Sequence, residues 1–175
     1  MKRPHPDEYS SYYKEYIDSV DDDVISELKD QLKSFPEFLK SISPSKTNYA
    51  YAEGKWTIKE VLGHALDTER IMAYRLLRFA RNDATTLAGF EENHYVNNAH
   101  FNQQDFNNMI DEFLAVRQAN MFLFKSLTET ELQRKGEANN APLSVRALLF
   151  IIAGHLKHHQ KILQERYLQD SSDNL

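Results

Sequence analysis

The chain has 175 residues, is 41% apolar and carries a formal net charge of −5, which suits one domain, 1–175, with a real hydrophobic core. It has no cysteine, so disulfides, thiolate nucleophiles and cysteine-type zinc sites are excluded. The acidic balance without a basic stripe argues against nucleic acid, no run of about 18 apolar residues suggests a membrane span, and the polar start Met1 to Tyr9 lacks a secretory h-region; a cytoplasmic protein is expected.

Only five glycines and five prolines occur, and apolar residues recur at helical spacing nearly throughout, with no convincing alternating strand. Residues 1–20 contain Pro4, Pro6, Tyr9, Tyr12, Tyr13 and Tyr16. They read as an extended lead-in and a short helix laid on the rest. Asp21, Asp22 and Asp23 suit the positive end of a first long helix. That helix turns Val24, Leu28, Leu32, Phe35 and Leu39 inward. Pro36 lies inside the pattern and is expected to kink or break it. Ser43 to Trp56 reads as a loop.

The second helix begins at Thr57, which forms a capping box with Glu60, and runs to about Arg81. Residues 83–101 make a long crossover with one short helical turn near Glu91 to Asn97. It is long enough to traverse the bundle, making helices two and three parallel neighbours. The third helix is expected from Asn102 as cap, with Asp105 in its first turn. Its stripe is Phe106, Ile110, Phe113, Leu114, Arg117, Met121 and Phe124. Thr128 to Leu143 is read as a connection with a turn at Thr128 to Leu132. Ser144 then caps a fourth helix reaching about Leu168. The fold class is therefore all-α, a four-helix bundle.

The chemical signal lies in the fourth helix, Gly154-His155-Leu156-Lys157-His158-His159. A spacing of four places His155 and His159 on one face, one turn apart. Both fall on the apolar stripe with Leu148 and Ile152. His64 occupies the inward face of the second helix with Thr57, Val61 and Thr68. Three neutral imidazoles from two helices would leave positions open on a divalent ion, as in catalytic sites. The competing reading is a set of hydrogen-bonded core histidines. His158 shares a mostly polar face and is read as a surface or rim residue.

Gly54-Lys55-Trp56-Thr57-Ile58-Lys59-Glu60-Val61-Leu62-Gly63-His64, then Asp67-Thr68-Glu69-Arg70, and later Ile151-Ile152-Ala153-Gly154-His155 with His159, resemble the DinB/YfiT-like superfamily of metal-dependent enzymes. The resemblance spans about residues 21 to 168. It implies an up-down-down-up bundle and a metal, nickel or zinc, on His64, His155 and His159. It also implies a homodimer. Some members transfer low-molecular-weight thiols to electrophiles.

Asp67 and Glu69 are candidates to hold a ligand imidazole from outside, or else solvent-facing charges. Trp56 is expected to pack the helix entrance. Arg75, Arg78 and Arg81 form either an anion-binding set or a solvated face. His94, Tyr95 and His100 lie in the crossover, where His94 or Tyr95 would serve as general acid or base if the crossover covered the metal. His5 is assigned to a flexible start. The functional expectation is a metal-dependent thiol S-transferase or hydrolase acting on a small electrophilic molecule. The alternative is a non-catalytic ligand-binding or interaction bundle with a structural metal or core histidines.

Overall fold

Four long helices carry the architecture of the computed structural model, which describes residues 1–169. Residues 170–175, the tail of the expected domain, lie outside the described residues. In chain order the helices are α1 (Lys14–Asp18), α2 (Val24–Lys40), α3 (Ile58–Ala80), α4 (Glu92–Ala99), α5 (Phe106–Ser126), α6 (Glu129–Leu132) and α7 (Val145–Ile162). A π-type turn, Leu163–Tyr167, extends α7. Two strands, β1 (Lys135–Ala138) and β2 (Ala141–Ser144), precede α7.

Each long helix starts where a short polar side chain satisfies a free amide. Asp23 accepts from the Ser26 amide (3.2 Å). Thr57 and Glu60 cap each other at 3.2 and 2.7 Å. Ser144 accepts from Ala147 at 3.0 Å. The third long helix departs from expectation: Asp105, not Asn102, is its cap, accepting from Asn108 at 2.9 Å. Asn102 instead sits in a 3-10 turn and donates to Glu60 at 2.9 Å. It clamps the end of the crossover to the start of α3.

Pro36 neither ends nor divides α2. Proline in a helix interior costs about 3 kcal/mol. Phe35, Pro36 and Leu39 are all buried, and each large apolar side chain returns about 1.5–3 kcal/mol. Packing outweighs the lost hydrogen bond.

Side-chain contacts give the helix directions. Asn102 meets Glu60 near the starts of α3 and α5 (2.9 Å), and Arg81 meets Glu131 beyond their ends (3.3 Å). The two helices are therefore parallel. Arg117 of α5 reaches Leu28 O of α2 at 3.1 Å, and the Phe113 ring meets Phe35 at 5.1 Å, so α2 and α5 are antiparallel. The Tyr167 hydroxyl donates to Trp56 O at 2.7 Å, joining the end of the α7 arm to the entrance of α3. The order is up-down-down-up, with the crossover at 83–101.

The core falls into two apolar clusters. One gathers Val24, Leu28, Leu76, Phe79, Phe124 and the first turns of α7. The other gathers Phe35, Leu39, Leu62, Leu66, Phe113, Leu156 and Tyr167. Buried polar residues on all four helices lie between them: Gln31, His64, Thr68, Glu69, Arg117, His155 and His159.

The two strands correct the expectation of no strand. They pair antiparallel, Lys135 with Ser144 through Ala138 with Ala141. Asn139 and Asn140 make the two-residue turn with φ of 52° and 59°, as a type I′ hairpin requires. Leu87 of the crossover bonds to Glu137 O (2.9 Å) and accepts from Asn139 (3.0 Å). The hairpin thus anchors the crossover.

The lead-in is not loose. Glu8 is buried and accepts from Ser144 Oγ and Arg146 Nε, both at 2.7 Å. Helix α1 packs on α7. With the bundle on one side and α1 on the other, residues 147–156 of α7 are all buried, which explains a helix apolar nearly all round.

Candidate metal centre

His64 sits on α3, and His155 and His159 sit one turn apart on α7. The structure brings all three together. His155 Nε2 lies 3.0 Å from His64 Nε2 and 3.1 Å from His159 Nε2. Metal–imidazole bonds of about 2.0–2.1 Å place neighbouring ligand nitrogens roughly 3.0 Å apart at right angles and roughly 3.3 Å apart in a tetrahedron. The observed spacing fits either. All three residues are buried.

Burial is also the main cause of their low basicity. It pulls the His64 pKa down to about 4, helped by the charge of His158. His155 and His159 are lowered well below the ordinary imidazole value, again by burial first. Neutral imidazole is the form that binds a metal, so protons compete weakly at pH 7. His159 Nδ1 is buried without a hydrogen-bond partner.

Glycine precedes His64 and His155, and in both places another segment approaches the helix closely. A Cβ on Gly63 would lie 2.4 Å from the Phe101 ring. A Cβ on Gly154 would lie 2.1 Å from Tyr16 O. The second approach brings Tyr16 onto the site. Its ring meets His155 edge-on at 5.5 Å and His158 at 5.1 Å. Burial, followed by the neighbouring Tyr12, raises the Tyr16 phenol. It therefore stays protonated and can donate, but it is no base at neutral pH. The Trp56 ring lies 4.7 Å from His64, so it both packs the α3 entrance and walls the site.

The three imidazoles line a cavity of about 500 Å³ that opens to solvent. Tyr12, Tyr13 and Tyr16 of the lead-in form one wall, Phe90, Glu92 and Asn93 of the crossover another, and Ala138, Asn139 and Ala141 of the hairpin a third. Thr68, Met72 and Arg75 continue the α3 side.

Other expected residues are placed differently. Glu69 neither holds an imidazole nor faces solvent; it is buried against Arg117, at 2.7 and 2.9 Å. Asp67 pairs with Arg70 at 3.6 Å. The three arginines do not act as a set. Arg75 is buried, Arg78 pairs with Asp83, and Arg81 is exposed beside Glu131. His94, Tyr95 and His100 are exposed and do not line the cavity. His158 is half-buried at the rim, its ring against Tyr16. His5 is hydrogen-bonded to Asp7 at 2.5 Å. Sequence reasoning missed Tyr16 and the hairpin wall. The signals were the tyrosine cluster of the lead-in and the Asn139-Asn140 pair.

An up-down-down-up bundle with three inward histidines on its second and fourth long helices defines the class. The chain belongs to the DinB superfamily, whose pattern matches residues 27–163. Among solved structures it is similar to YfiT from Bacillus subtilis, described as a probable metal-dependent hydrolase with an unusual four-helix bundle topology. That likeness has a TM-score of 0.71 at 16% identity and covers 94% of this chain and 90% of that one. None of the curated proteins matches the sequence.

Proposed function

We propose that the chain is a metal-dependent enzyme acting on a small electrophilic molecule, with a divalent ion held by Nε2 of His64, His155 and His159. The carrying observation is the convergence of three neutral imidazole nitrogens, 3.0 and 3.1 Å apart, on the wall of an open cavity. A structural site closes with four protein ligands; three ligands facing a cavity leave coordination positions for substrate. The donor set accepts zinc, nickel, copper or iron, with zinc or nickel as the favoured ions.

Such an ion supplies Lewis acidity and lowers the pKa of a water or thiol. The chain's own residues do the rest. Trp56 packs on His64 and Tyr16 on His155, so the two rings are held in place. The Tyr16 hydroxyl stays protonated and can donate a hydrogen bond at the cavity wall. With water as nucleophile the reaction is hydrolysis; with a low-molecular-weight thiol it is S-transfer. The wording attached to YfiT supports a metal and hydrolysis, and the family resemblance supports thiol transfer.

The test is elemental analysis of untagged protein beside a variant with all three histidines changed to alanine. About one ion per wild-type chain and none in the variant is expected. Hydrolysis of p-nitrophenyl esters and glutathione conjugation of 1-chloro-2,4-dinitrobenzene then separate the two reactions. Absence of metal from the wild type, even after incubation with zinc or nickel, overturns the reading.

A further inference from the structure

Arg75 and Arg117 are two deeply buried arginines with opposite surroundings. Arg117 is 0% exposed and carries a bidentate carboxylate, Glu69, together with Gln31 Oε1 at 2.8 Å. Arg75 is 2% exposed, and no carboxylate among the described residues lies within ion-pair distance of it. Its partners are neutral. Nη2 donates to Ala88 O at 2.8 Å, Nη1 faces Met72 Sδ at 3.7 Å, the Tyr13 hydroxyl of the lead-in lies against the guanidinium, and the Phe90 ring centre is 5.9 Å away. A guanidinium has five donor hydrogens, so donors remain unused. Glu92, the acid on the same cavity wall, is half-exposed at the rim. Burying a charge without an opposite partner is unfavourable unless something else offsets it.

The position of Arg75 suggests what does. His64, Thr68, Met72 and Arg75 follow one another at steps of four, four and three along α3, which places them on one face. All four line the same cavity. Arg75 lies eleven positions after His64, about 16 Å along the axis. Between them Thr68 Oγ1 is buried with no hydrogen-bond partner. The cavity therefore has a reacting end at the histidines and, at the far end, a cation with no carboxylate partner.

We propose that this cavity selects an elongated substrate whose anionic group, a carboxylate or phosphate, pairs with Arg75 while its reactive end lies at His64, His155 and His159. This rests on the three-histidine cluster being the reacting centre. Arg75 sets specificity; it does not touch the reacting atoms.

The test uses the full-length chain as purified, and again after dialysis against a chelator. Isothermal titration compares ω-phenylalkyl carboxylates with two to six methylenes, the matching phosphate monoesters, and the neutral amides. The best-fitting anion should bind about tenfold or more tightly than its amide, the effect of a charge-assisted hydrogen-bonded pair. Carboxylate and phosphate arms show which anion is preferred. In Arg75→Met the ratio should fall to near one, with metal content unchanged. Arg75→Lys should keep part of it, and Arg75→Gln replaces the Met variant if that does not fold. Equal binding of anion and amide in the wild type overturns the proposal. So does a preference that survives in Arg75→Met, or one that vanishes on chelation and marks the ion as the anion's partner. Anion preference in protein that never holds metal would instead retain the anchor and refute the metal reading.

Discussion

Arg117 shows how one residue ties the bundle together. Its guanidinium bonds to Glu69 on α3 and to Gln31 and Leu28 O on α2, while Gln31 reaches Ala153 O on α7 at 2.9 Å. Arg117→Met should lower unfolding stability by about 3–5 kcal/mol, because it strands the Glu69 carboxylate in the interior. Adding Glu69→Leu should recover much of that loss in denaturant titrations; a purely additive double variant would contradict the argument. Glu8 makes the equivalent join at the lead-in. Burial alone would raise its carboxyl, but hydrogen bonds from Arg146 and Ser144 outweigh burial and leave the pKa below the usual glutamate value. A depressed carboxylate contributes stability that is present above the unfolded pKa and is lost as pH falls through the folded one. Wild-type stability should therefore drop more steeply below about pH 4.5 than that of Glu8→Gln. Parallel pH profiles of the two would refute this.

Among the elements, the contact of α1 with α7 controls the mouth of the site. Gly154 admits the Tyr16 carbonyl against the helix. Gly154→Ala should cost about 1–3 kcal/mol through overpacking and should move Tyr16 off His155. Thermal melts read the first effect and the substrate KM the second; a fully stable variant with native KM would show that the lead-in yields without consequence. The long helices, the caps at Thr57 and Ser144, the short helix in the crossover and the turn after Thr128 were legible, because capping and helical periodicity are local properties. The hairpin was not. Its segments Lys-Gly-Glu-Ala and Ala-Pro-Leu-Ser have little strand character, and only the Asn139-Asn140 turn marked it. Pairing with Leu87 and packing at the end of the bundle make it a hairpin.

For the whole molecule, ligand binding to the folded state alone must raise stability by mass action. Zinc or nickel at a hundredfold excess over its dissociation constant should add about 2.7 kcal/mol, seen as a rise in Tm that a chelator reverses. The variant lacking His64, His155 and His159 should show no such rise. An equal rise in both proteins would place the ion elsewhere.

The sequence by itself determined the helical class, the crossover that makes α3 and α5 parallel, and the three histidines as inward-facing residues. Each follows from spacing along a single helix or from the length of a connection. Only the tertiary structure decided what surrounds them. Asp67, Glu69 and Arg75 are all charged residues of α3, yet Asp67 pairs within the helix with Arg70, Glu69 is buried on Arg117, and Arg75 is buried in the cavity wall with no carboxylate partner. Where the partner comes from a packed neighbour, as Arg117 of α5 does for Glu69, it is remote in the chain and the local pattern cannot name it.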